Sequence, residues 1–552
     1  MNNIVLKTSG KLALLIMMTV LFSCDDWLEI TPKDQVTDAT LWTTSGNADI
    51  FLNDIYRYLP DPWNGDDLED NYTDDSMSGI PGRVSKVTYN KGIYTQDNWN
   101  GYWNGGTNQY TFIRKCNVFI KNIEASNLDP DWKKMRLAEA RFLRAFFYHL
   151  LWTHYGGVPV ITEPLDRFTM GEDIYKPRNT DQETYQFMIN ELTAIADDLP
   201  VKPQAGRASK GAALTLKGWL ELFSASALKN PSNDLTKWAT AAATFKQVMD
   251  LNNYKLFANY ETMFYEENNN NSEVIFDRHY LGGSSTIGAS REGLQGPWFI
   301  CGNQKAWGGV DPTQDLVDEY QMENGLSITA PGSGYDPQNP YAGREKRFYQ
   351  SVVYEGSTWI GCVMTFKQVA GNRNATDLAD FNEATNTGYY FRKGLDPKYA
   401  INGRHRKSSA SYIIFRYAEV LLSYAEAQNE AVGPDYSVYD AVDEVRARAE
   451  LPALPDGLNQ DQMRTAIRRE RRVELAFELK RWYDLIRWKI AEVNLNRPKH
   501  AMLITVENGV TVYSVINAPG GECTFDPAKH YLWPIHRTAL DKNKNLEQNP
   551  GY

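Results

Sequence analysis

Apolar residues recur at helical spacing over two long parts of the chain. In "MRLAEARFLRAFFYHLLWTHYGGVPV", Leu143, Phe147, Leu150 and His154 fall at i, i+4, i+7 and i+11, and Phe142, Ala145 and His149 form a second row. Two rows predict a helix covered on more than one face. Gly156-Gly157, with Pro159 just beyond, predicts its end. "SKGAALTLKGWLELFSASALKN" places Leu216, Trp219 and Phe223 on one face, and its Ala, Ser and Gly residues allow close neighbours. "TKWATAAATFKQVMDL" follows after an Asn-Pro turn. From Ser411 the pattern returns: Ile413, Tyr417, Val420, Tyr424 and Ala427 form one stripe closed by Gly433-Pro434. A helix over 438–449 follows. "RTAIRRERRVELAFELKRWYDLIRWK" then reads as one helix with Leu475, Leu479, Trp482 and Ile486 on a single face.

Between these blocks, over roughly 254–410, helical periodicity fades. Gly, Pro, Asn and Thr crowd "ENNNNSEVIFDRHYLGGSS" and "APGSGYDPQNPYAG", with short strand-like runs at 273–276 and 351–354. Antiparallel helix pairs at spacings near the tetratricopeptide length predict a mainly α fold. A tetratricopeptide-like helical-repeat scaffold would carry an irregular subdomain of loops and short strands. The expected division is 24–253, 254–410 and 411–552. Function is expected in the middle region and in the loop 61–103, since binding residues concentrate on loops held by rigid elements.

The chain starts differently. An apolar run over 12–22 follows Lys7 and Lys11 and ends at Ser23-Cys24-Asp25-Asp26. It is about half the length needed to span a bilayer, and its layout is that of a secretory signal. The ending resembles a bacterial lipobox, so 1–23 is expected to be removed and Cys24 to carry the lipid, multiple acyl chains being needed for stable anchoring. The net charge of −11 argues against nucleic acid, which needs a basic surface. Cys116, Cys301, Cys362 and Cys523 are far apart with no C-x-x-C pair, and single thiols are expected.

The Arg-rich segment 464–489 offers i, i+3 pairs, Arg471 with Glu474, Glu478 with Arg481 and Asp484 with Arg487, which predict a structural ion-pair network. His149 and His154 point about 140° apart on a helix and cannot act as an H-E-x-x-H zinc pair. No phosphate-binding glycine loop or nucleophile elbow is present, and no cofactor or metal is called for. Acidic residues are abundant, and whether two of them form a glycosidase pair depends on their separation in space. The aromatic supply, 12% with 15 Trp and 32 Tyr, suits stacking on sugar rings. "DDSMSGIPGRVSKVTYNKGIYTQDNWNGYWNGG" offers Asp74, Asp75, Arg83, Tyr94, Trp99, Asn100, Tyr102 and Trp103, a mixture of apolar platforms and placed polar groups that a ligand site requires. Trp103, leading into a helix, is expected in the core. "REGLQGPWFICGNQKAWGGVDPT" adds Arg291, Trp298 and Trp307.

An ordered set of stretches carries a family resemblance: "WLEITPKDQVTDATLW", "ADIFLNDIYRYL", "EARFLRAFFYHLLWTHYGGVPVIT", "GAALTLKGWLELFSASALKN", "NNNNSEVIF", "WGGVDPTQDLVDEY", "FRYAEVLLSYAEAQNEA", "RRERRVELAFELKRWYDLIRW" and the terminal "NLEQNPGY". Together they resemble the SusD/RagB family of Bacteroidetes outer-membrane lipoproteins over most of the chain. Pro534-Ile535-His536 departs from the family, which usually has a second proline there. The resemblance implies a non-enzymatic surface lipoprotein that captures oligo- or polysaccharide and passes it to a SusC-like TonB-dependent transporter. Asp25-Asp26 is similar to the acidic signal for the outer face. By similarity to the ligand loop of the starch-binding family member, Asp75, Arg83, Trp99 and Asn100 are the expected contacts, with Tyr102, Trp298, Trp307 and Arg291 beside them. Rival expectations are an oligopeptide-binding member of the family, a surface glycoside hydrolase, and a scaffold that stabilises the transporter without ligand.

Overall fold

A computed structural model describes residues 38–283, 287–376, 384–401 and 407–552. The expected signal segment and lipid attachment at Cys24 lie outside the described residues. The longer helices of the first block are α1 (Ser45–Tyr56), α2 (Gln109–Ala125), α3 (Pro130–Tyr155), α4 (Asp181–Ile195), α5 (Lys210–Ala225) and α6 (Leu235–Asp250). Local chemistry sets their ends. Asp129 caps α3 by accepting from Trp132 N, with Pro130 in the first turn, and Gly156 stops it in a left-handed conformation at φ 74°. Thr180 and Glu183 form a reciprocal capping box at α4. Gly218 on α5 lets α6 approach until a Cβ there would lie 3.0 Å from the Phe245 ring.

The second block holds α7 (Tyr417–Val432), α8 (Tyr436–Arg448), α9 (Gln460–Glu474) and α10 (Arg481–Arg487). Neighbours in the stack are α2 with α3, α3 with α4, α4 with α5, α5 with α6, α6 with α7, and α7 with both α8 and α9. Since α6 packs directly on α7, the helical scaffold is continuous across the middle region. That region leaves and returns through one antiparallel pair, β1 (Val274–Arg278) and β2 (Tyr412–Arg416), with Tyr412 opposite Arg278 and Arg416 opposite Val274. A long hairpin, β3 (His500–Glu507) and β4 (Val510–Asn517), completes the strands of any length. The main core lies among the helices. A second core, including Val310, Phe348, Trp359 and Phe391, is covered by Phe477, Met502 and Ile504 from the C-terminal part.

Three sequence expectations change. The 464–489 segment is two helices, because Phe477 (φ 62°) and Leu479 (φ 59°) turn the chain through left-handed conformations. The turn frees the carbonyls of Glu474 and Ala476, and each accepts from Lys393 Nζ at 2.9 Å. Ile413 belongs to β2 and so does not continue the α7 stripe. Cys301 and Cys362 form a disulfide, with Cα atoms 5.8 Å apart, joining two short hairpins; Cys116 and Cys523 are free.

The ion-pair network is present, but mostly as long-range contacts. Of the three i, i+3 pairs, Asp484 with Arg487 forms, at 2.8 Å. Arg471 pairs with Asp484, and Arg481 pairs with Asp74. Glu474 binds Arg416 at 2.7 Å, Arg347 at 2.9 Å and also Arg448. Arg416 further reaches Glu273 and Glu478, each at 2.7 Å. The side chains of all these groups are buried. Burial works against the charge of Glu474, but Arg448, Arg416 and Arg347 outweigh it and hold the carboxyl well below the usual carboxylate range. Removing one partner leaves uncompensated charge in the interior, which typically costs about 3–5 kcal/mol. Arg416→Ala should therefore lower stability in denaturant unfolding by about that amount, and a loss within the range of ordinary surface substitutions would refute the network's role.

Candidate functional site: an aromatic cleft

A cleft of ≈ 670 Å³ opens between the segment 57–72, which follows α1, and the loop 98–109, which precedes and enters α2. Leu150 of α3, Leu479 and Trp533 contribute to its lining, and Arg278 of β1 reaches it from another side. Its aromatic walls are stacked pairs. Tyr58 lies on Phe112 (4.2 Å between centroids), Tyr72 on Tyr89 (4.2 Å), and Tyr102 is nearly parallel to Trp533 at 5.7 Å. Between them stand Asp61, Asp67, Glu69, Asn98, Asn100 and Gln109. Faces that can stack on a ring, with donors and acceptors beside them, make a site suited to a polyhydroxylated ligand.

The middle region positions one wall. Gln295 Nε2 donates to the carbonyls of Pro62 (2.7 Å) and Gly65 (3.0 Å), and Ser290 N donates to Trp63 O at 3.1 Å. The Arg291 guanidinium lies 3.8 Å from the centroid of the Trp63 ring, close enough for a strong cation–π contact. At the lip, Asp61 accepts from Tyr280 OH at 2.6 Å and pairs with Arg278 at 3.2 Å.

The structure brings together some of the expected site residues. Trp99, Asn100 and Tyr102 all line the cleft. Asn100 is exposed, and Tyr102 is partly exposed with its hydroxyl donating to Glu69 Oε1 at 2.5 Å. Trp99 is only 4% exposed, packed among Tyr89, Tyr94 and Trp533, so it supports the wall more than it offers a face. Arg83 does not line the cleft, although its neighbour Val84 does; it pairs with Asp66 at 2.5 Å. Trp307 is partly exposed and does not line the cleft; the next residue accepts from Gly79 N through its carbonyl at 2.9 Å, which places Trp307 near the 79–84 turn.

Three expected contacts are instead interior supports. Asp75 is buried and receives Arg472 Nε at 2.6 Å. Its neighbour Asp74 is held by Arg481 at 2.8 Å and Asn494 at 2.7 Å. Burial opposes charge at both carboxyls; Arg472 and Arg481 overcome it at Asp74, which falls well below the usual range, while Asp75 is pushed up to about 6. Arg291 is buried beneath Trp63 and donates to the carbonyls of Lys393 (2.7 Å) and Gly394 (3.1 Å). Trp298 is packed edge-on against Phe299 at 4.9 Å. The physical reasons differ: Asp75 and Arg291 satisfy buried groups from distant parts of the chain, whereas Trp298 is packed into the second apolar core. Trp103 is in the core as expected, edge-on to Tyr155. His149 and His154 are core residues whose pKa values burial lowers to about 3.

Sequence reasoning missed Tyr58, Asp61, Asp67, Glu69 and Tyr72. Their signal was present in "YRYLPDPWNGDDLEDNY", where aromatics alternate with acids; all but Tyr58 fall within the 61–103 loop expected to carry function, ahead of the residues named there. Among the described residues, no helix is long and apolar enough to cross a membrane, and no group of His, Cys, Asp and Glu is placed to hold a metal ion.

The comparisons with known proteins agree with this architecture. Residues 272–552, just over half of the chain, match the model of the SusD family, and 26–217 match a model described as starch-binding associating with outer membrane. The chain belongs to the SusD family. It is 26% identical to the SusD-like protein P2 of Formosa agariphila, covering 98% of this chain and 99% of that one. It is 23% identical to the SusD-like protein P38 of the same organism, over 98% of each chain. Among solved structures, a SusD-like carbohydrate binding protein from Bacteroides fragilis is 27% identical, with a TM-score of 0.76 over 92% of this chain and all of that one.

Withdrawal from water raises the Glu69 carboxyl to about 7, with the hydrogen bond from Tyr102 offsetting part of the rise. Buried Asp70 is pushed to about 8 by the same cause, with the charge of Asp75 adding to it. The folded protein thus holds a proton on Glu69 up to about 7, whereas the unfolded chain releases it near 4.5. Stability from this group is present below its ordinary value and is lost as pH rises through about 7. The denaturant midpoint should fall between about pH 5 and about pH 8, and Glu69→Gln should flatten that fall; an unchanged profile in the variant would refute the assignment.

Proposed function

We propose that this protein is a lipid-anchored, cell-surface glycan-binding protein. It captures oligo- or polysaccharide in the 57–109 cleft and delivers it, without cleaving it, to a SusC-like TonB-dependent transporter. The observation that carries the reading is the cleft itself, with Tyr58, Tyr72 and Tyr102 presented beside exposed Asn98 and Asn100 and the carboxylates of Asp61 and Asp67. Phenol faces pack on the apolar face of a pyranose, while amides and carboxylates take its hydroxyls. The description of the Bacteroides fragilis relative as carbohydrate binding, and of the matching model as starch-binding associating with outer membrane, supports a carbohydrate ligand and an outer-membrane location. Cys24, followed by Asp25-Asp26, supplies the expected anchor, and a transporter is the partner such a surface protein serves.

Affinity electrophoresis on a panel of neutral and acidic polysaccharides tests the reading. Tyr58→Ala removes a partly exposed ring that lies on Phe112 at the edge of the core, and should weaken retention about tenfold or more, the usual cost of losing a central aromatic contact. Retention equal to the parent protein on every retained glycan would refute the cleft. Incubation with a retained glycan should release no reducing ends. Binding of oligopeptides in the absence of any glycan retention would favour the peptide-capturing alternative.

A further inference from the structure

The loop 98–108 has two sides. Tyr102 lines the cleft, and the next residue, Trp103, lines a second cavity of ≈ 370 Å³ on the other side. This cavity lies between the segment 159–176 and the short C-terminal helix Arg537–Lys542. Tyr110 and Tyr175, both partly exposed, give it aromatic walls, with the buried Trp103 behind them and Ile161 and Leu165 beside them. Tyr110 OH is fixed by donating to Pro159 O at 2.9 Å, so its ring is held in place.

Its charge is one-sided. Arg167, Lys176 and Lys542 line it, and no Asp or Glu does, in a chain whose net charge is −11. None of the three forms a salt bridge among the described residues, although most basic side chains nearby have carboxylate or carbonyl partners. The acids closest in sequence are used elsewhere or do not line the cavity. Asp166 caps Phe168 N at 2.9 Å, Asp541 pairs with Lys544 at 3.3 Å, and Glu172 and Asp173 are exposed outside it. Three cations line this open aromatic pocket with no acidic residue beside them. They complement a ligand that is negatively charged at one edge and ring-shaped and apolar at its face. The volume is at the small end for ligand pockets, the scale of one or two sugar rings.

We propose that this cavity is a second saccharide site, selective for a sugar unit bearing a carboxylate or a sulfate. The aromatic walls stack the ring, and Arg167, Lys176 and Lys542 pair with its anionic group. The inference extends the glycan-binding reading to a site that does not share its cationic residues with the cleft. Acidic glycans then engage two sites on opposite sides of one loop, and the linkage of the two raises avidity for chains that span them.

Calorimetric titration of the full chain with a glucuronate-containing disaccharide, a sulfated galactose and neutral maltose, at low and moderate salt, tests it. Arg167 and Lys542 are exposed, so the double variant Arg167→Ala/Lys542→Ala keeps the fold. The acidic saccharides should bind the parent protein, more weakly as salt rises, and about tenfold or more weakly in the double variant. Neutral-polysaccharide retention should be unchanged in the double variant. Tyr58→Ala should do the opposite, weakening neutral retention and sparing the acidic disaccharide, so failure of the cleft and failure of this site are read separately. Equal affinity for the acidic saccharides in parent and double variant would overturn the proposal, as would no binding of either. Tighter binding of an acidic peptide than of both saccharides at this cavity would overturn its assignment to sugar.

Discussion

Arg416 stands where four stretches of chain meet. It ends β2, and its guanidinium holds Glu273 ahead of β1, Glu474 at the end of α9 and Glu478 in the turn that follows. Arg347 ties Glu474 to Glu345 and Glu470, and Lys393 closes the group on Glu478 and on the carbonyls of Glu474 and Ala476. An isolated charge in such surroundings would be strongly destabilising; here each has several partners and the donors are satisfied. This network joins the helical scaffold to the region inserted between α6 and α7. Replacing it would alter the relation between the two cores as well as the stability of either.

The cleft inherits its geometry from that junction. Lys393, held by Glu478, presents a carbonyl to Arg291; Arg291 lies against Trp63; Gln295, on the same short helix as Arg291, fixes the turn at Pro62 and Gly65. On the other side, Asp74 and Asp75 bind Arg472 and Arg481 and anchor the strand Ser76–Met77, which pairs with Asp311–Pro312. The aromatic walls are therefore carried on loops; the 57–77 side is tied to buried charged groups, and the 98–109 loop is held by hydrogen bonds from Tyr102 N to Tyr155 OH and from Tyr102 OH to Glu69. That arrangement suits a binding surface that must keep its shape when empty, because a preformed site avoids the ordering cost that flexible loops would add on binding.

The same loop also separates two electrostatic environments. The cleft carries both signs, Arg57 and Arg278 with Asp61, Asp67 and Glu69, whereas the cavity behind Trp103 carries the basic Arg167, Lys176 and Lys542 alone. A mixed lining on one side and a purely basic one on the other make the two cavities electrostatically different, most so at low ionic strength because exposed charges are screened.

Much of the scaffold was legible in residue order. The rows on α3, the face of α5 and the Gly-Pro stops report packing that is local along a helix, and period and capping are properties of short segments. The i, i+3 pattern of charge announced an ionic network, but its partners could not be read: Arg471 turned to Asp484 on the next helix, and Glu474 and Arg481 turned to groups far away in sequence. The break at Phe477 and Leu479 is equally tertiary, since it exists where Lys393 and Arg416 require carbonyls and carboxylates at one point. The site shows the same division. Sequence alone determined that aromatics and polar groups were concentrated in the loop containing Trp99, Asn100 and Tyr102. Tertiary structure decided which of them face water. Asp75, Arg291 and Trp298 carry the right chemistry for a ligand but are buried against distant partners, while Tyr58 and Glu69 reach the cleft because two separate loops fold to face each other. Side-chain type sets what a residue can bind; burial and the contacts that impose it set whether a ligand can reach it.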